Sequence, residues 1–297
     1  MHPAAPVRLV VPFGRDGASD WLARRVAAGL AQRWGHEVTV DNLPGDGAVA
    51  GMREAARAAP DGHTLLFGTS TTHAIAPALR RDLGLDPAAA FVPLALVGWA
   101  PNLLLVRSGL ASSVTDLVAL AHRAPQRLRY ASAGHGQTIH LCAALFAQRA
   151  GIELEHVPFP DGSIGGLRAL AAGRVDLMFD NVLASLPALR NGEVDVLAVA
   201  GAFASSALPG VPTLEDAGVA DAAADIWMGL FAPVGTPAAV CAQIARDIGA
   251  VLGQTDLVAE LSAAGFMLDI RFGDECADEI AANAAQWRDI VAVCRLP

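Results

Sequence analysis

Short apolar runs alternate with longer amphipathic stretches along the whole of this 297-residue chain. The runs have strand length and the stretches have helix length. Val7 to Pro12 predicts a first strand, followed by a polar turn and a helix from Trp21 to Trp34 that stops at Gly35. Ser19 or Asp20 is placed to cap that helix. Glu37 to Asn42 predicts a second strand, Val49 to Ala59 a helix, and His63 to Gly68 a third strand. This β-α-β-α-β order implies a parallel sheet with helices on both faces.

The pattern then repeats. Val92 to Gly98 and Asn102 to Arg107 read as adjacent strands joined through Trp99-Ala100-Pro101. A helix from Val114 to Ala124 leads to a strand at Leu128 to Ser132 and a helix beginning near Ile139. Glu153 to Phe159 and Val175 to Asp180 flank a small-residue helix, Gly165 to Ala172. Val194 to Ala200 is a further strand, and Ile226 to Ala232 reads as one returning toward the first half. Helices at Pro237 to Leu252, Thr255 to Ala264 and Asp274 to Val293 end the chain, interrupted by a short strand at Phe266 to Arg271. Each half is expected to be a small α/β unit. Ligands of such sheets sit outside the carboxyl ends of the strands.

Composition narrows the function classes. The chain is 53% hydrophobic and 17% charged, which is the balance of a globular protein. Its net charge is −9, and every basic residue is Arg. An acidic chain without a basic run argues against nucleic-acid binding. The absence of Lys removes Schiff-base chemistry and the P-loop lysine. No apolar run reaches the ~18 residues of a membrane span, so direct membrane insertion is not expected. The opening Met1 to Pro6 lacks the regions of a secretory signal; the chain either stays in the cytoplasm or its signal peptide is absent from this sequence. Cys142, Cys241, Cys276 and Cys294 are widely spaced and read as single buried thiols, with one disulfide open in an oxidising compartment.

The most telling chemistry lies at Ser132-Ala133-Gly134-His135-Gly136-Gln137-Thr138. A strand enters this glycine-hinged turn and a helix leaves it. Such a turn aims backbone N–H groups at one point, backed by the positive end of the helix dipole, and makes a seat for an anion. Ser132, Gln137, Thr138 and His140 add donors. The motif implies a bound anion and names no reaction.

Eight motifs in order carry a family resemblance. They are Pro12-Phe13-x-x-x-Gly17-x-x-Asp20, Asn42-x-Pro44-Gly45, Ala59-Pro60-Asp61-Gly62-x-Thr64-Leu65-Leu66 and Tyr130-x-Ser132-Ala133-Gly134, followed by His156-Val157-Pro158, Phe179-Asp180-Asn181, Leu208-Pro209-x-Val211-Pro212-Thr213 and Ala232-Pro233-x-Gly235-Thr236-Pro237. Together they span roughly residues 7–293. The chain resembles the Bug-type periplasmic substrate-binding proteins of tripartite tricarboxylate transporters. The resemblance implies a two-domain periplasmic binding protein type II fold of the Venus-flytrap kind with two crossovers, near Gly98 to Pro101 and near Asp225 to Gly229. Domain 1 would comprise residues 1–99 and 228–297, and domain 2 residues 100–227. It further implies a periplasmic receptor, not an enzyme, that captures a small carboxylate or amino-acid-like solute between its domains and passes it to membrane transporter subunits. No cofactor and no metal are expected.

Carried over by position, the ligand-binding residues would be Phe13, Gly14, Arg15, Asp16, Gly17 and Ser19 from one loop, and Thr69, Ser70 and Thr72 from a second. Ser132, Gly134, His135, Gly136, Gln137 and Thr138 would come from the glycine turn, with Asp180 as a fourth contributor. The family usually has a small-residue run where this chain has Arg15-Asp16. Pro158-Phe159-Pro160-Asp161 also departs from the family's usual form. Arg15 could hold a ligand carboxylate or pair with Asp16. Asp16 and Asp161 tilt the expected solute away from tricarboxylates, toward a single carboxylate or one with an added amide or amine.

Other chemistries are less well supported. His135 and His140 are five residues apart, unlike the i, i+4 pair of a helical zinc site, so with His73 they read as hydrogen-bonding histidines. Asp180 as base, or Ser132 or Ser70 as nucleophile with His140, would make an enzyme, but no Gly-x-Ser-x-Gly elbow is present. The glycine spacings also miss the dinucleotide fingerprint. Asp20 reads as a cap or structural acceptor, and Trp99 and Trp227 as packing or cleft-wall residues. The alternative function is a cytoplasmic enzyme or ligand sensor on the same scaffold.

Overall fold

β-Branched and leucine-rich runs form the buried strands of two separate sheets. The computed structural model describes residues 3–80, 82–123, 128–159 and 161–294. Its strands are β1 (Val7–Val11), β2 (Val38–Asn42), β3 (Thr64–Thr69), β4 (Phe91–Ala100), β5 (Asn102–Arg107), β6 (Arg129–Ser132), β7 (Glu155–Pro158), β8 (Leu177–Asn181), β9 (Val194–Val199), β10 (Ile226–Pro233) and β11 (Met267–Arg271). Ala124, expected to end a helix, and Pro160 of the acidic rim lie outside the described residues.

The chain divides into two compact units. The first comprises residues 1–99, 227–262 and 267–289; the second comprises 100–226, 263–266 and 290–297. The first holds a six-stranded sheet of order β11-β4-β10-β3-β1-β2, and the second a five-stranded sheet of order β7-β6-β8-β5-β9. Neither sheet is the parallel one that the strand–helix alternation predicts. β1 runs parallel to β2 and β3, but β10 is antiparallel to β3, and β11 to β4. In the second unit β6 runs parallel to β7 and β8, while β5 is antiparallel to β8 and β9. β4 and β5, neighbours in sequence, belong to different sheets. Strands that arrive from the other unit need no crossover helix, so they can enter antiparallel.

In the first unit, Val10, Val49, Met52, Leu66, Leu96, Trp227, Phe231 and Cys276 form a water-excluded core. Trp227 is fully buried and donates its indole N–H to Asn283 Oδ1 at 2.9 Å, so it is a packing residue. Helix Ala18–Trp34 is preceded by Gly17 at its cap position, with no side-chain cap, two to three residues before the expected capping positions. Its far end is tied to helix Ala238–Leu252 through Asp247, which accepts from Arg33 Nε at 2.6 Å and Trp34 Nε1 at 2.9 Å. In the second unit, Phe146 packs on Phe179, and the buried Asn102 Nδ2 donates to Cys142 Sγ at 3.1 Å. All four cysteines are free; Cys142 and Cys276 are buried, whereas Cys241 and Cys294 are partly so.

Candidate functional site

In the second unit, β6 delivers Ser132 to the sheet's carboxyl edge, and the glycine turn begins there. Gly134 has φ 123° and Gly136 φ 72°, conformations that an L side chain resists. The turn is held from within. Gly134 N–H donates to Ser132 Oγ at 3.1 Å, and Gly136 N–H donates to His140 Nδ1 at 3.0 Å. Gln137 Nε2 donates to Ala133 O at 3.0 Å. The two glycine amides are therefore satisfied by side chains. Further donors at this end come from the first turn of helix Thr138–Ala150, whose start at Gln137 carries no side-chain cap. The first N–H groups of a helix have no intrahelical partner, and the dipole makes that end electropositive. An anion here would meet backbone N–H groups from Thr138 onward, with the nearly buried Thr138 hydroxyl beside them.

Two imidazoles of this region are held neutral. Burial pushes His140 down to about 4, assisted by His156 and His135. Burial likewise pushes His156 down to about 4, with His135 adding to it. His156 Nε2 lies 2.6 Å from Ser132 Oγ. His135, His140 and His156 each offer a ring nitrogen, and the three atoms lie within 4.8 Å of one another. His156 is the member that sequence spacing missed. It arrives because β6 and β7 pair in parallel with Tyr130 opposite His156. Only strand register, absent from any local motif, could have signalled it.

Asp180 stands at the end of β8, buried to 2% exposure. Its Oδ1 accepts the Asn181 N–H at 2.8 Å, and its Oδ2 has no hydrogen-bond partner. Burial pushes this carboxyl up to about 7, with the Asn181 N–H pulling the other way. Asn181 caps helix Val182–Arg190 by accepting the Leu183 N–H at 3.1 Å.

In the first unit, the loop after β1 is organised by Asp20. Its carboxylate accepts Asp16 N–H at 3.1 Å, Arg24 Nε at 2.9 Å and Asn42 Nδ2 at 2.9 Å. Burial raises the Asp20 carboxyl, but these partners hold it below the usual carboxylate range. Asp20 is thus the structural acceptor of the loop rather than its cap. Around it Gly14, Arg15 and Asp16 are exposed, Phe13, Gly17 and Ser19 are half-buried, and Asp16 takes φ 66°.

The hydroxyl-rich turn after β3 folds as a π-helical turn, Thr71–Ile75. Such turns are uncommon and recur at functional sites. Here they draw hydroxyls inward. Thr69 Oγ1 accepts the Thr71 N–H at 3.1 Å, and Thr72 Oγ1 accepts the Thr69 N–H at 2.9 Å while also contacting His73 Nδ1. Ser70 Oγ accepts the Trp227 N–H at 3.1 Å. Burial pushes His73 down to about 3, and its ring stacks on Phe231 with centroids 3.9 Å apart. His73 lies in the first unit and His135, His140 and His156 in the second, so the histidine grouping suggested by sequence is replaced by a different one.

Comparison with known proteins places these loops in context. Residues 22–292 match the family model described as tripartite tricarboxylate transporter family receptor. A UPF0065 protein from the tcbD-tcbE intergenic region of Pseudomonas sp. strain P51 is 33% identical, over 99% of this chain and 88% of its own length. Protein BugT of Bordetella pertussis is 30% identical over 98% of this chain and 89% of its own. Among solved structures, R. palustris Rpa4515 with adipate aligns with a TM-score of 0.95 at 34% identity, covering 99% of this chain and 98% of that one. MatC from Rhodopseudomonas palustris with bound malate aligns with a TM-score of 0.89 at 31% identity, covering 97% and 99%.

Proposed function

The chain belongs to the tripartite tricarboxylate transporter receptor family, and from that premise we propose how it holds its solute. It is a solute-binding receptor for small carboxylates with the two-domain periplasmic binding protein fold. In our reading the carboxylate rests on the uncapped N-terminus of helix Thr138–Ala150. That open end, immediately after a turn whose Gly134 and Gly136 amides are already satisfied, is the observation that carries the proposal. Two relatives of at least 31% identity hold dicarboxylates, adipate and malate.

Ser132, Gly134, His135, Gly136, Gln137 and Thr138 would shape this seat. Asp180, protonated over much of the range below about 7, would offer an O–H to a second polar group of the solute. In the first unit, Phe13, Gly14, Arg15, Asp16, Gly17, Ser19, Thr69, Ser70 and Thr72 are the candidate ligand residues by family position. Arg15 is the cation among them, able to form a bidentate pair with a carboxylate. The acidic Asp16 and Asp161 favour fewer carboxylates on the solute over more. The receptor would act in the periplasm and deliver to membrane transporter subunits.

The Ser132–His156 contact at 2.6 Å supports positioning rather than hydrolysis. An imidazole held near 4 is a poor general base at neutral pH.

Calorimetric titration with adipate, malate, citrate, simple monocarboxylates and amino acids tests the reading. A one-to-one complex with at least one dicarboxylate or monocarboxylate is expected, with citrate the weakest of the set. Ser132→Ala and Thr138→Val should each weaken that complex by about tenfold, the scale of a hydrogen bond to a charged group. Failure of every candidate to bind at millimolar concentration would overturn the proposal.

A further inference from the structure

Three imidazoles converge beside the glycine turn, and among the described residues no Asp or Glu joins their cluster. His135 sits exposed on the turn, His140 is buried in the first turn of the following helix, and His156 is half-buried on β7. Their nearest ring nitrogens lie within 4.8 Å of one another, and among the described residues this is the one group of three or more His, Cys, Asp or Glu side chains so placed. The rings are ordered against each other. His140 and His156 stack with centroids 4.2 Å apart, and His135 stands edge-on to both, at 5.4 and 4.7 Å. Tyr130 stacks on His156 at 4.8 Å. Ser132 Oγ lies 2.6 Å from His156 Nε2 and fixes that ring from the sheet side.

We propose that His135, His140 and His156 form a binding site for a single divalent cation of the zinc class. Two arguments support it beside the convergence of the rings. First, three imidazoles with an open fourth position are an established ligand set for a tetrahedral zinc ion. Exposure of His135 leaves that position on the solvent side, for water or a carboxylate oxygen. Second, the Ser132 contact supplies the outer hydrogen bond that orients a ligating ring and leaves its other nitrogen available.

The geometry also says what binding must change. Nitrogens about 2.0–2.1 Å from one tetrahedral ion lie roughly 3.4 Å apart, so the cluster has to contract. His135 is the ring that can move, because it is exposed and flanked by Gly134 and Gly136. His140 exchanges a bond if it ligates through Nδ1. Its Nδ1 accepts the Gly136 N–H, which leaves the ring proton on Nε2. Ligation through Nδ1 would release the Gly136 N–H, an amide adjoining the proposed carboxylate seat. No Lys or Arg lies between Ser132 and Leu145, so a bound cation would be the positive charge that this turn lacks.

The test uses the whole chain, stripped with a chelator and free of carboxylate buffers. Titration with zinc chloride alone should give one-to-one uptake with a Kd of about 10 µM or tighter. Cobalt should give the intense visible bands of a tetrahedral site. His135→Ala, an exposed substitution with little risk to folding, should weaken zinc binding at least about tenfold, and His135→Ala with His156→Ala should abolish it. His122→Ala, an exposed histidine of the same unit, should leave uptake unchanged. Absence of stoichiometric uptake, or uptake that survives loss of both His135 and His156, overturns the metal site. Because no solute is present, either result leaves the carboxylate reading standing or falling on its own titration.

Discussion

Burial sets the chemistry of individual side chains here more than charge pairing does. His73 is the plainest case. It lies in an aromatic setting with Phe231 stacked at 3.9 Å and Phe91 and Trp227 at 5.8 and 5.7 Å, and its Nε2 has no hydrogen-bond partner. Its folded value near 3 lies below the ordinary 6.5. The unfolded chain therefore takes up a proton below about 6.5 that the folded chain refuses until about 3. Stability contributed by the neutral ring is present above 6.5 and drains away as pH falls through that window. His73→Phe keeps a ring against Phe231 and removes the titration. Whatever it does to the melting temperature at pH 7, the fall in melting temperature between pH 7 and pH 4 should be smaller than in the unaltered chain. An unchanged fall, followed by circular dichroism, would remove His73 from the account of acid sensitivity. The local reading of Asp20 as an acceptor was available from its place after a glycine-bearing loop. The neutrality of His73, His140 and His156 was not, because desolvation depends on what the rest of the chain packs around each ring.

At the scale of elements, close approach of backbone to backbone decides which residues can stand where. Helix Val49–Ala56 lies against the chain just beyond β1 and β2 so tightly that a Cβ on Gly51 would come 2.8 Å from Leu43 O and 2.9 Å from Pro12 Cα. Neither is the end of a flexible side chain, so the helix itself would have to shift. Gly51→Ala is expected to cost about 1–3 kcal/mol, the range for overpacking, read as a lower urea midpoint. A neutral or stabilising result would mean that the helix moves more freely than its contacts suggest. Most elements were legible as periodicity. Helix Val182–Arg190 was not, because Pro187 sits inside it and breaks the local signal. The turn at Thr71–Ile75 reads as a donor-rich loop in sequence, yet its π-helical winding commits the Thr72 hydroxyl to the Thr69 backbone and the Thr69 hydroxyl to the Thr71 N–H.

For the molecule as a whole, binding and stability are linked. A solute that binds only the folded chain stabilises it by about 2.7 kcal/mol at a free concentration of 100 Kd. A carboxylate found by calorimetry should therefore raise the melting temperature progressively with concentration. The rise should be reduced in Thr138→Val in proportion to its loss of affinity. A ligand that binds without moving the melting temperature would be engaging the unfolded chain as well, and would not be the receptor's solute.

The sequence by itself determined most of the strands and helices, the two α/β units, the glycine turn that demands positive φ and the family to which the chain belongs. These follow from hydrophobic period, turn chemistry and motifs read within a few residues of one another. Tertiary structure decided the rest. It made both sheets mixed, because strands enter each from distant parts of the chain. It turned the Gly134 and Gly136 amides inward onto Ser132 and His140 and left the helix start beyond them as the open donor set. It also placed His156 with His135 and His140, since parallel pairing of β6 with β7 brings together residues that no local spacing connects. Hydrogen-bond allocation and desolvation are properties of packed neighbours, and a linear chain does not specify those neighbours until it is folded.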